Sequence, residues 1–496
     1  MNRSRKAAPL PTPSSWGEGE AAVRLVRLLR IADSTEQIAD KSVGRCPEAE
    51  GETRREQLTC CAAGKFGKTS RVTLMSAATE QLPPSQPPSV ESTQPPAPSS
   101  KRIMAIDALR GFDMFWILGA DAFVRGLEKI NGGPIVAGLA AQLEHKDWRG
   151  FAFYDLIFPL FVFIVGVSLV FSLTKSLDQD GPAATRQKIF RRFVLLFLLA
   201  LIYSDGFANE WPNIRLLGVL NRIALCYLFA ALIFCRFRTH WKAIASICGA
   251  LLLSYWAMMT FVPFPDVRPG DANGQPVTGG LAVKRVDQLN FNSTHKLRGV
   301  FEPGLNLAHY LDQKYLPGKK WDGTWDPEGL LSTIPAIGTC LLGVLAGLLL
   351  QNKSMPDGRK VQILAIGGAL MVIAGFAWGM QFPVIKKIWS SSYVLVAGGY
   401  SALLLAAFYQ VIEIWQVQKW AQAFVWIGAN AITLYMANNI INFRRFAMRF
   451  AGGDIRNFFD TQITYGLGDL VIAAVAVTLS IVLARFLYQR KIFLRT

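Results

Sequence analysis

The chain has 496 residues, 51% of them hydrophobic, with a mean hydropathy of +0.28. Its 52 Lys+Arg outnumber 35 Asp+Glu, for a net charge of +17. Beyond residue 100 the apolar residues gather into runs of about 20, the length that crosses a bilayer core, which excludes a soluble single-core enzyme, a collagen and a wholly disordered chain. Four His without an H-x-x-H pair argue against a zinc or iron site. No basic–aromatic recognition module is present, so nucleic acid is not an expected partner.

Residues 1–100 are polar and end in the Pro/Ser/Gln-rich stretch Gln81–Ser100. Such a composition buries too little apolar surface to offset chain entropy, and a disordered tail is expected. No apolar core of signal-peptide length follows the basic start. The seven cysteines show no paired framework, so no structural disulfide is expected.

The fold class expected is all-α, a polytopic transmembrane bundle of about ten helices, because only internally satisfied backbone is stable in lipid. The runs lie at 103–124, 152–174, 189–204, 214–235, 242–263, 328–350, 361–380, 391–412, 421–443 and 466–488. Trp211, Trp241, Trp389 and Trp420 sit near their ends, where interfacial anchors belong. The chain then divides into a tail (1–100), five spans with the expected active-site loop (101–263), an extracytoplasmic loop or lid rich in Pro, Gly and Asn (264–327), and five more spans (328–490). Lys and Arg are concentrated in alternate loops, at Lys175, Arg186, Lys188, Arg191 and Arg192, then Arg236, Arg238 and Lys242, then Lys353, Arg359 and Lys360. This bias places both termini in the cytoplasm, but it is incomplete: Arg125, Lys129, Lys146, Arg149, Lys386 and Lys387 fall on the opposite side, and the loop 444–456, with Arg444, Arg445, Arg449 and Arg456, fits it worst.

Several residues are too costly in lipid to be incidental. The first span holds Asp107, Arg110, Asp113 and Asp121. An unpaired charge at mid-bilayer costs at least ~2.5–3.5 kcal/mol. Arg110 is three residues from both Asp107 and Asp113, so a structural ion pair accounts for part of this set; Asp121 is expected to face a wet cavity. His145 precedes the second span between Glu144 and Asp147. A histidine held by a carboxylate can act as base or nucleophile near neutral pH. Asp155 lies one turn inside the second span, and Pro159 is expected to kink it or to open backbone groups toward a cavity. In the fourth span Arg215, Gly218 and Arg222 would share a helical face, beside Asn221. Arg222 needs an acidic partner, with Asp155 and Asp113 as candidates, or an anion. Asp326 and Pro327 read as N-cap and first residue of the sixth helix. The ninth span holds Asn430, Thr433, Tyr435, Asn438, Asn439 and Asn442, enough polar groups to line a passage.

Together these segments resemble the heparan-α-glucosaminide N-acetyltransferase family of membrane-embedded acyltransferases. The strings are DALRGFD at 107–113, HKDWRG at 145–150, DLIFPLFVFIVG at 155–166, GVLNR at 218–222, WDPEGL at 325–330, PVIKKIWS at 383–390 and GANAITLY at 428–435. They cover nearly all of 101–490, and their order and spacing carry the match.

The resemblance implies transfer of acetyl from cytosolic acetyl-CoA to an amino sugar across the membrane, with His145 as the active-site residue. His145, Asp155 and Asn221 are the expected catalytic residues. Arg110, Trp148, Arg222, Trp389, Ser390 and Asn430 are expected to contact the donor, and no metal is expected. The chain departs from the family pattern at Asp121, where Asn is common, and at Asn438-Asn439, where a His is common; both fall near the expected acceptor region. Expected partners are acetyl-CoA, a sugar or glycan acceptor, the lipid bilayer and, as one option, a second copy in a homodimer. A bacterial inner membrane is the expected location. Two rival readings remain: a secondary transporter or flippase for a sugar or lipid-linked sugar, and an O-acyltransferase of envelope glycans.

Overall fold

The computed structural model describes residues 103–130, 132–204, 206–269 and 280–494. The tail expected to be disordered, with Cys46, Cys60 and Cys61, lies outside the described residues. Among the described residues Cys226, Cys235, Cys248 and Cys340 are free thiols.

The chain is helical and carries helices long and apolar enough to cross a membrane, as the hydropathy pattern implies. Seven described helices meet that standard: α4 (Phe153–Gln179), α6 (Val219–Phe237), α7 (Trp241–Phe261), α9 (Thr333–Gln351), α10 (Asp357–Gly379), the segment Ser391–Ile414 that begins with α11 (Ser391–Tyr409), and α16 (Leu467–Gln489). A pair bent by 70°, Lys419–Ala429 with Ala431–Ile441, would supply an eighth; it contains α12 (Gln422–Ala429) and α13 (Ala431–Ile441). The other two of the ten expected spans are helical but interrupted or charged. The first is α1 (Met104–Phe115) and α2 (Asp121–Ile130), separated by a π-helical turn, Trp116–Ala120, in which Gly119 takes φ 111°. The third is α5 (Gly181–Tyr203), whose first half carries Arg186, Lys188, Arg191 and Arg192. Shorter helices are α3 (Pro134–Gln142), α8 (Leu307–Tyr315), α14 (Phe443–Ala451) and α15 (Asp454–Phe458). The arginines that fit the charge bias poorly belong to 444–456, on α14 and α15. There α14 also exposes Phe446 and Phe450, the mixed composition of a helix at a membrane interface.

Small residues let the spans meet backbone to backbone. A Cβ on Gly166 of α4 would lie 2.0 Å from the Cys340 carbonyl oxygen of α9, and one on Gly343 of α9 would lie 2.0 Å from the Phe163 carbonyl oxygen of α4. Lipid supplies no hydrophobic drive between helices, so close van der Waals packing of this kind holds them together.

Pro159 does not interrupt α4. Its missing N–H leaves the Asp155 carbonyl without its helical donor. The Tyr393 hydroxyl supplies one, donating to that carbonyl at 2.8 Å. Pro159 thus frees a backbone group, as one of the two expectations had it, and a side chain of α11 satisfies that group.

The insertion at 264–327 is better packed than its turn-rich composition implies. It contains the antiparallel pair β1 (Phe264–Pro265) and β2 (Lys296–Leu297), and the helix α8. Phe264, Val267, Leu305 and Tyr310 join Tyr255, Phe382, Ile385 and Ile388 in a small apolar core. His309 stacks on Trp325 with centroids 3.7 Å apart, and burial lowers its basicity. Asp312 on α8 is buried and accepts from the Leu330 N–H at 2.8 Å; burial pushes its carboxyl up to about 7. An unfolded Asp ionises near ~3.9. The folded state therefore keeps a proton that the unfolded chain has already lost, and stability falls as pH rises between these two values. We expect the melting temperature in detergent to drop across that window and level off above it. Asp312→Asn should flatten the slope while keeping the acceptor for Leu330.

Candidate active site

The loop at 143–152 is held on both sides. Gly150 takes φ 116°, a conformation suited to glycine, and its N–H donates to the Val384 carbonyl at 2.9 Å. Arg149 bridges to Ile385 through its backbone and pairs with Glu302 through its side chain. The Trp148 indole donates to the Phe301 carbonyl at 2.8 Å. The loop is therefore fixed to the 380–390 segment and to the insertion.

Asp155 is the third residue of α4. One of its oxygens reaches back to the N-cap N–H of Ala152 at 3.1 Å and to the Lys146 N–H at 3.3 Å, a side-chain cap on the helix start. The other oxygen lies 2.8 Å from His145 Nδ1. The carboxylate is 1% exposed and the imidazole 51%. A carboxylate only accepts, so Nδ1 carries the proton it donates to Asp155, and Nε2 is left with a free lone pair. The ring leans on Tyr154, centroids 4.8 Å apart. Lys386 brings its Nζ to 3.4 Å from the same Asp155 oxygen, 3.0 Å from His145 Nδ1 and 3.4 Å from Nε2. Burial draws the Lys386 ammonium below the usual lysine range, against the pull of Asp155.

This cluster opens on a cavity of about 430 Å³, within the range of small-molecule sites. Its loop end presents His145, Lys146, Arg215, Glu328, Lys386 and Lys387. Its walls within the bundle are apolar, from Met114, Ile157, Phe161, Leu220, Ile223 and Ile432. Phe161 is eight residues into α4, so the walls descend ~12 Å below the start of that helix. Tyr203 and Tyr435, stacked with centroids 4.6 Å apart, form another wall.

Beside the cavity, Arg215 donates to Asp326 through Nε and Nη2, each at 2.8 Å, and to Glu328 at 2.7 Å, with its guanidinium 5.0 Å from the centre of the Trp321 ring. Two sequence expectations are corrected here. Asp326 does not cap the sixth helix: its carboxylate is taken by Arg215 and by the N–H groups of Trp321 and Glu328, and α9 begins behind Ser332. Arg215 does not share a helical face with Gly218 and Arg222, because α6 starts only at Val219 and the extended chain before it turns Arg215 toward the insertion.

Of the residues expected at the site, His145, Asp155 and Trp389 come together at the cavity: His145 and Trp389 line it, and Asp155 stands directly behind the imidazole. Arg222 lies behind Trp389, its guanidinium 4.9 Å from the ring centre. It donates to Ser332 Oγ at 2.5 Å and to the Gly329 carbonyl at 3.4 Å, not to Asp155 or Asp113. The rest stand outside the lining. Asn221 donates to the Phe197 carbonyl at 3.4 Å. Asn430 is buried at the bend between α12 and α13. Ser390 caps α11 by accepting from the Tyr393 N–H at 3.3 Å. Trp148 is spent on Phe301. Arg110 binds Asp107 at 3.3 Å, Ser168 at 2.5 Å and the Gly428 carbonyl at 3.4 Å. Asp121, expected to face a wet cavity, is buried and paired with Arg125, one turn along α2. Lys386 and Glu328 were legible only as charges within longer strings, and nothing in their spacing announced a meeting with His145.

Residues 102–269 match the family model described as heparan-alpha-glucosaminide N-acetyltransferase, catalytic. The chain is 25% identical over 444 residues to the heparan-alpha-glucosaminide N-acetyltransferase of Mus musculus, covering 80% of this chain and 60% of that protein. It is 25% identical over 435 residues to the Homo sapiens protein of the same name, covering 79% and 59%. The chain thus spans about three-fifths of the length of these curated relatives. The likeness read from the motifs is borne out: residues 102–269 match the model of that same family, in a chain whose described helices include seven long and apolar enough to cross a membrane.

Proposed function

We propose that this protein transfers acetyl from acetyl-CoA to the amine of a sugar, with the donor drawn from the cytosol and the acceptor on the opposite side. The observation that carries the reading is the Asp155–His145 pair, 2.8 Å apart at the head of an apolar-walled cavity. Asp155 fixes the tautomer and His145 Nε2 takes a proton from the attacking amine. The amine nitrogen bonds to the thioester carbonyl carbon, the C–S bond breaks, and the imidazolium returns the proton to the departing thiolate. The products are an N-acetyl sugar and CoA thiol. The apolar walls suit the pantetheine arm, with Trp389 as a donor contact and Arg222 supporting its ring from behind.

Direct transfer in one complex is favoured over an acetyl-imidazole, because the loop holding His145 is tied to Val384, Phe301 and Glu302 and need not move. Both termini are proposed to face the cytoplasm of a bacterial cell, with the protein in the inner membrane.

The test is thiol release from acetyl-CoA by purified protein in vesicles, with and without amino-sugar acceptors. Acceptor-dependent release of CoA thiol, matched by acetyl in the sugar, is expected. A transporter or flippase would move the sugar and release no thiol. A burst of thiol without acceptor would mark the acetyl-imidazole route instead. Acetyl found only on sugar hydroxyls would replace the amine by an alcohol as acceptor.

A further inference from the structure

An attack on a thioester passes through a tetrahedral intermediate whose oxygen carries a negative charge. Preorganised donors aimed at that oxygen are usually the largest single contribution to such catalysis. The donors suggested by composition, the amides of Asn221 and Asn430 and the indole of Trp148, do not line the cavity. Asn221 turns to Phe197 and Trp148 to Phe301.

We propose that Lys386 is a catalytic residue, and that its ammonium stabilises the oxyanion formed beside His145. This rests on the acetyl-transfer reading above and deepens it. The Lys386 Nζ lies 3.4 Å from His145 Nε2, the atom that takes the proton, and Lys386 lines the same cavity. An ammonium has three N–H donors. Asp155 takes one donor at 3.4 Å, His145 Nε2 can take a second at 3.4 Å, and the Nδ1 contact at 3.0 Å takes none because Nδ1 is itself protonated toward Asp155. One donor remains for the thioester oxygen, and the one on Nε2 is released when that atom takes the proton of the amine. The neighbour Lys387 is not equivalent: its Nζ is bound to Asp322 at 3.1 Å and sits over the Trp325 ring.

The charged and titratable groups facing Lys386 are Asp155, His145, Glu328 and Lys387. Burial lowers the ammonium, so the form that serves the oxyanion is lost as pH rises, at a pH below the ordinary lysine value of ~10.4. Arginine at this position keeps its charge across that range.

The experiment compares wild type, Lys386→Met, Lys386→Arg and His145→Ala, each as purified full-length protein in vesicles, with acetyl-CoA and the best amino-sugar acceptor. Lys386→Met is expected to lower kcat by about 10²–10³-fold, with the KM for acetyl-CoA little changed. Lys386→Arg should restore part of the rate and abolish the alkaline decline of the wild-type profile. A residue that merely packs would lower thermal stability in both variants and leave the alkaline limb where it was. Full kcat in Lys386→Met beside an inactive His145→Ala overturns the Lys386 role alone. Full turnover in His145→Ala overturns the acetyl-transfer reading beneath it. If Lys386→Met does not fold, the pH profile of Lys386→Arg decides: an unchanged alkaline limb overturns the proposal.

Discussion

Replacing His145 with alanine is expected to cut the rate of acetyl transfer by about 10²–10⁴-fold, the range over which a positioned acid–base group contributes. The side chain is half exposed and its loop is held by backbone and neighbouring contacts, so the variant should melt close to wild type in detergent. Asp155→Asn should give a loss of the same order by a different route. An amide at that position can offer its N–H to Nδ1 and so favour the tautomer that puts the proton on Nε2, where the lone pair is needed. Thiol release measured against pH separates the two. His145→Ala should leave a low rate whose only pH dependence is the alkaline decline set by Lys386, and Asp155→Asn a low rate that depends on pH on the acid side as well. Turnover near wild type in either variant would remove the pair from the chemistry.

The second large effect falls on folding. Leucine at Gly166 would drive side-chain atoms into the Cys340 backbone, since even a Cβ would stand 2.0 Å from that carbonyl oxygen. Backbone cannot rotate away as a flexible side chain can. The crossing of α4 with α9 must open, at a cost of at least the ~1–3 kcal/mol typical of an overfilled core. Because α4 also carries Asp155 at its start, activity should fall together with the yield of monodisperse protein on size exclusion. Gly249→Ala in α7 is the control: a Cβ there meets nothing within 4 Å. Wild-type yield and melting temperature in Gly166→Leu would mean that the two helices do not rely on this close approach.

The helical membrane architecture was legible because lipid leaves the backbone few options. Ten apolar runs mark ten helical regions, of which seven described helices and one bent pair are long and apolar enough to cross a membrane; the differences lie in breaks, charge and element ends, where periodicity carries little information. The break at Gly119 and the late start of α6 after Gly218 depend on local backbone geometry that hydropathy averages away. His145 and Asp155 were legible together, being ten residues apart across a helix start. Arg215 and Asp326 were each visible as charges, but their pairing across 111 residues follows from packing. The same holds for Lys386, whose segment reaches His145 only because Gly150 and Val384 join two distant loops. Asn221 and Ser390 illustrate the converse. A polar side chain in an apolar run signals that something holds it there, and a neighbouring carbonyl or a helix cap does so as well as a substrate.

The contact between Lys386 and His145 spans 241 positions. During synthesis the imidazole and its carboxylate partner emerge long before the lysine does. A nascent polypeptide that has threaded only its first half into the bilayer carries the base without its neighbouring cation. A prematurely terminated product would therefore hold the imidazole and its carboxylate but neither Lys386 nor Trp389 at the cavity, whatever early helices it had inserted.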